Sequence, residues 1–204
     1  MAATDPRASF LSAVDTFESL VGAIPVGDLN GPGLGEWDLR ALVGHASRSL
    51  VTVESYLEQP ADVVEVPTAA DYYVAVAGAL LDQAAVTERG RVAGAALGAE
   101  PAEFIRALAQ RVREKLSGRD PAYVLTTIAG PMELDEYLRT RTFELVVHGL
   151  DIAAATRLPV AYDVSALAEA ATLAAEIAVL TGGAPDLLLA ATGRRTLPGG
   201  FSVV

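Results

Sequence analysis

Four residues with chemistry to offer fall inside one apolar stretch, RTFELVVHGLDIAAAT: Arg141, Glu144, His148 and Asp151. The stretch is rich in Leu, Val, Ala and Ile and reads as a buried helix. A charge buried there without a partner is costly or titrates until it is neutral. Glu144 and His148 are four apart, so they leave one helical face about a turn apart. At that spacing a carboxylate and an imidazole either share a metal ion or form an ordinary ion pair, and spacing alone leaves both open. The only other histidine, His45, also stands among apolar residues. It is the candidate third ligand, or else a core histidine bonded to backbone. Two His and one carboxylate make an open metal set with room for water or substrate, and the ion would compensate the buried carboxylate. Arg141, a turn before Glu144, is a candidate to steer a substrate carboxylate or orient the ligand. Asp151, a turn after His148, is a candidate partner for an imidazole N–H. Both also fit rim charges or a structural ion pair.

The rest of the chain narrows the classes available. Its 204 residues are 51% apolar and 20% charged, enough for a substantial core and unlike a disordered chain. A formal net charge of -11 argues against nucleic acid, whose phosphates need a basic face, and against an anionic membrane surface. There is no cysteine, so any thiolate must arrive with a cofactor. GPGLGE lacks the Lys-Ser/Thr of a phosphate loop and reads as a linker, and no G-x-S-x-G elbow is present. The start of the chain has no basic segment leading an apolar core. No uncharged apolar run reaches the ~18 residues of a membrane span, since Glu169 and Glu176 interrupt ALAEAATLAAEIAVL. A cytoplasmic protein is expected.

Helical periodicity dominates. Phe10, Leu11, Val14, Phe17, Leu20 and Val21 mark a first helix. NGPGLGEW breaks the chain, and a second helix follows from near Trp37 to about Tyr56. A third covers roughly Ala69 to Thr87. GRVAGAALGAEP is ambiguous, because Ala favours a helix and Gly opposes it. Further helices cover about Pro101–Leu116, Met132–Ala155 and Asp163–Leu180, with a short one and an irregular tail at the end. AYVLTTI sits in a loop region and has extended character. The expected architecture is an all-α antiparallel bundle with long loops.

GEWDLRALVGHASRSLVTVESYL resembles the tryptophan–histidine helix of the DinB-like superfamily, and more narrowly the metal-binding N-terminal domain of mycothiol-dependent maleylpyruvate isomerases. The matching residues are Trp37, Asp38, Leu39, Val43 and His45. The second signature stands as Arg141, Glu144, HGLD from His148 to Asp151, and Ala153. The resemblance covers the chain up to about residue 182 and implies a DinB-like four-helix bundle over 1–182; beyond it the chain departs from the family, and additional short C-terminal helices with an extension over 183–204 packed on the bundle are expected. It puts His45, Glu144 and His148 on the metal-ligand positions. It implies a divalent metal, most often zinc, and mycothiol as the thiol co-substrate of an S-transferase or isomerase acting on a small electrophile. Arg141 and Asp151 are the candidate catalytic residues beside the metal. The ligand-set chemistry also admits a hydrolase using metal-bound water, or a non-catalytic metal-binding protein. The expected partners are small molecules, with no nucleic acid and no membrane, and the chain a monomer or homodimer. The Ala-, Gly- and Val-heavy composition fits a GC-rich, actinobacterial source.

Overall fold

Aspartates open three of the long helices. In the computed structural model, which describes residues 5–80 and 83–204, the Asp5 carboxylate accepts from the Arg7 and Ala8 amides and starts α1 (Pro6–Gly22). Asp38 accepts from Ala41 N at 2.7 Å and starts α2 (Leu39–Tyr56). Asp163 accepts from Ser165 N and starts α7 (Val164–Thr181). Each cap satisfies amides that the first turn leaves without partners. Between them lie α3 (Ala69–Leu80), α4 (Gln83–Ala96), α5 (Pro101–Leu116) and α6 (Leu134–Thr156), and α8 (Ala184–Ala191) follows. The fold is all-α and DinB-like, with one small antiparallel hairpin of β1 (Val124–Thr127) and β2 (Gly130–Glu133).

The longest helix, α6, is central and packs on α1, α2, α3 and α7. Phe10, Phe17, Leu42, Leu50, Tyr137, Leu138, Leu173 and Ile177 fill the space between them and are buried. Among the described residues α7 alone has the length and mean hydropathy of a membrane span. Here it lies along α6, and its buried Glu169 accepts from Arg139 Nε at 2.5 Å. Arg139 also binds Glu136 and Glu176. Glu136 in turn accepts from Ala69 N at 2.7 Å, so one partly buried ion network sets the start of α3 against α6 and α7.

Two expectations change. The helix expected over 69–87 is two elements: α3 ends at Leu80, residues 81–82 lie outside the described residues, and α4 begins at Gln83. The ambiguous glycine-rich stretch is helical as far as Ala96, the end of α4, because Gly94 faces α2 and Gly90 packs on Trp37. A Cβ on Gly94 would lie 2.8 Å from Arg40 O and 2.9 Å from Ala41 Cα. Packing overrides propensity there. The helix expected from Met132 starts at Leu134, because Met132 belongs to β2 and pairs with Leu125. The carbonyl of Pro131 accepts from the amides of Glu65 and Val66, which ties the hairpin to the preceding loop.

Candidate metal centre

The second helix presents His45 toward α6, where Glu144 and His148 stand one turn apart. One ligand atom from each of the three lies within 4.8 Å of the others. The two imidazoles meet edge to face, their ring centroids 4.8 Å apart. His148 Nε2 is 3.2 Å from Glu144 Oε2, and His148 Nδ1 is 3.2 Å from Asp151 Oδ2. Asp151 thus takes one ring nitrogen and leaves the other aimed at the centre, the arrangement that fixes a histidine ligand's tautomer.

Two residues that spacing did not reveal complete the surroundings. Tyr73 of α3 donates its hydroxyl to Glu144 Oε1 at 2.7 Å, leaving Oε2, which faces His148 Nε2, as the candidate ligand oxygen. Nothing in DYYVAVAG distinguishes this tyrosine from a core residue; only the packing of α3 on α6 reveals it. Behind it, Phe201 and Val203 of the C-terminal tail share with Tyr73 and Ile177 the lining of a cavity of about 470 Å³. Thr87 of α4 is the other: its carbonyl accepts from Trp37 Nε1 at 2.9 Å. The Trp37 ring then lies 4.6 Å from the His45 ring, tilted by 34°. Trp37 is therefore half-buried against the histidine rather than a plain core anchor.

Arg141 shares the α6 face with Glu144 and His148 but makes no ion pair within 4 Å among the described residues. It is 8% exposed, and its guanidinium lies over the rings of Tyr137 and Tyr72, 5.0 and 5.3 Å from their centroids. Of the alternatives for Arg141, a rim charge and a structural ion pair are both set aside: this cation is buried among aromatic faces.

Protonation follows from these contacts. Burial, with the neighbouring His148, holds His45 down at about 4, so it is a neutral donor at physiological pH. Burial also opposes the His148 imidazolium, but the hydrogen bonds to Asp151 and Glu144 outweigh it and carry the group up to about 9. Burial alone would raise Glu144; the His148 hydrogen bond and charge, Arg141 and Tyr73 reverse that and hold it at about 2. Without metal, then, His148 carries the positive charge that balances Glu144.

His45 Nδ1 is sealed from solvent and has no hydrogen-bond partner among the described residues. A buried nitrogen in that state is uncommon and costly. The His45 ring, a second imidazole and an ionised carboxylate form a donor set that can hold a divalent cation and leave a coordination position open. A consequence can be measured. Metal ligands must be deprotonated, and His148 is protonated below about 9 in the metal-free protein. Loading a divalent ion at pH 7 is expected to release about one proton per chain, and apparent metal affinity should rise with pH until it passes the His148 pKa. Calorimetry in two buffers of different ionisation enthalpy measures this. Equal heats in both would show that no proton leaves His148.

Fold and site together define a DinB-like helical protein with a candidate two-histidine, one-carboxylate centre between α2 and α6. The chain belongs to the family described as the mycothiol maleylpyruvate isomerase N-terminal domain, whose family model matches residues 10–153. That span contains Trp37, His45, Arg141, Glu144, His148 and Asp151. No curated protein and no solved structure matches the chain significantly.

Proposed function

We propose that the chain is a metal- and thiol-dependent enzyme, an S-transferase or an isomerase of the maleylpyruvate isomerase kind, working on a small electrophile in an actinobacterial cytoplasm. The observation that carries this reading is the convergence of His45, Glu144 and His148 in a chain with no cysteine of its own. A thiol-using centre built here must take its sulfur from a small co-substrate, and membership of the family supports mycothiol in that role.

His45, Glu144 and His148 would hold the ion, and two imidazoles with one carboxylate suit zinc. A divalent cation held there would supply Lewis acidity, lowering the pKa of a thiol brought to it toward neutral pH. The protein's own residues prepare for this. His45 is already neutral. Asp151 orients the His148 ring through Nδ1, and Tyr73 fixes the Glu144 carboxylate through Oε1. Trp37 covers one face of the His45 ring and limits its rotation.

The test is direct. The protein is loaded with cobalt and titrated with mycothiol. Sulfur coordination adds an intense sulfur-to-metal absorption band that water and carboxylates do not produce, and that band is expected to rise to saturation. A cobalt spectrum unchanged at saturating mycothiol would overturn the thiol reading and leave a hydrolase using water, or a non-catalytic metal protein.

A further inference from the structure

A buried arginine commonly has a carboxylate bound to it; Arg141 feels the charge of Glu144 but makes no ion pair with it or with any other carboxylate among the described residues. Its Nε donates to Thr140 Oγ1 at 2.9 Å. The two terminal nitrogens have no protein acceptor among the described residues, yet neither is sealed from solvent. The same holds for the hydroxyl of Tyr72, a residue only 5% exposed. Two tyrosine rings, Tyr72 and Tyr137, carry the guanidinium on their faces, and Tyr56 packs in turn on Tyr137 with centroids 5.5 Å apart. The Tyr137 hydroxyl is taken, donating to Thr52 Oγ1 at 2.7 Å. The Tyr72 hydroxyl is left over. Arg48 of α2 lies within electrostatic reach of both Tyr56 and His45 and adds a second positive charge.

We propose that Arg141 and Tyr72 form an anion-binding subsite that takes a carboxylate of the substrate and anchors it one helical turn from Glu144. A planar guanidinium presents paired N–H groups that match a carboxylate's two oxygens, and the Tyr72 hydroxyl supplies a third donor. The aromatic walls exclude water and strengthen the pairing. Arg141 and Glu144 are three residues apart on α6, about 4.5 Å along the axis. A ligand held by its carboxylate therefore brings a carbon a few bonds away to the centre formed by His45, Glu144 and His148. The subsite rests on the proposed function for its substrate role, but its binding chemistry stands apart and is tested without metal or thiol.

Metal-free protein is titrated with fumarate, followed by calorimetry and ligand-observed NMR, with dimethyl fumarate as the uncharged control. Fumarate is expected to bind saturably and the diester not at all. Arg141→Gln should weaken fumarate by about tenfold to a hundredfold, the loss of a charge-assisted pair. Arg141→Lys keeps the charge but not the paired donors, and should fall between the two. Tyr72→Phe keeps the ring and its packing, so folding is not in question, and should bind a few-fold more weakly. No fumarate uptake by the wild type, diester binding as tight as the diacid, or full affinity in Arg141→Gln would each overturn the subsite. Such a failure leaves the thiol reading standing, and a silent cobalt titration leaves this subsite standing.

Discussion

The His148→Ala variant is expected to lose its divalent metal, falling from about one ion per chain to almost none after buffer exchange, because two ligands rarely hold a catalytic zinc. The substitution removes the donor that meets both Glu144 and Asp151. It also removes the positive charge that balances Glu144 in the metal-free state. Burial is the largest influence on Glu144 and pushes its pKa up; the His148 hydrogen bond and charge are the next largest and hold it at about 2. Without them burial gains, and the Glu144 pKa should rise, although Arg141 and the Tyr73 hydroxyl still favour the ionised form. Asp151→Asn is the graded comparison. It keeps three ligands and loses only the carboxylate that orients His148, so metal affinity should fall by about tenfold to a hundredfold. Elemental analysis of the purified variants reads both effects, with circular dichroism to confirm that the helical content persists. His148→Ala protein with a full complement of metal would place the ion elsewhere.

What spacing made legible at this site was the part written along one helix. Arg141, Glu144, His148 and Asp151 fall on one face at intervals of three and four, and the contacts of His148 with Glu144 and Asp151 follow from that geometry. The bounds of α5 could likewise be read from Pro101 at its first turn and the apolar spacing that ends at Leu116. Contacts between helices could not be read this way. His45 could be named only as a residue type whose position a resemblance supported, because the angle at which α2 crosses α6 is not written in either segment. Tyr73 and Tyr72 were invisible for the same reason. They are neighbours in sequence but turn to different partners, one to Glu144 and the other to Arg141. The hairpin was half visible: AYVLTTI carries β-branched residues, whereas GPME opens with the two residues that most oppose a strand. Pro131 is tolerated because it contributes its carbonyl, to the amides of Glu65 and Val66, and needs no N–H.

The second large effect is expected one residue away from a metal ligand, at Gly44. By helix propensity alone, Gly44→Ala should stabilise α2 by about 1 kcal/mol. The structure predicts the reverse. α2 and α4 cross where Gly44 faces Gly94, and a Cβ on Gly44 would overlap the Gly94 backbone and the Ala93 carbonyl carbon. Backbone cannot rotate aside as a side chain can, so α4 as a whole must move. Overpacking of this kind costs about 1–3 kcal/mol and sometimes more, which outweighs the propensity gain. The displacement has a second consequence. α4 carries the Thr87 carbonyl that holds Trp37, and Trp37 lies against His45. Gly90, also on α4, packs so tightly on the indole that a Cβ there would stand 2.5 Å from Trp37 Cε2. Moving α4 therefore loosens the support of the His45 ring, and metal affinity should fall together with stability. Gly22→Ala is the control, because a Cβ at that position meets nothing within 4 Å; it should leave metal affinity unchanged and stability unchanged or slightly higher. Denaturant midpoints and metal titrations of the two variants decide the matter. A Gly44→Ala protein as stable as the wild type and equal to it in metal affinity would mean that α4 does not cross α2 at this glycine pair, and that Trp37 owes its place to something other than α4.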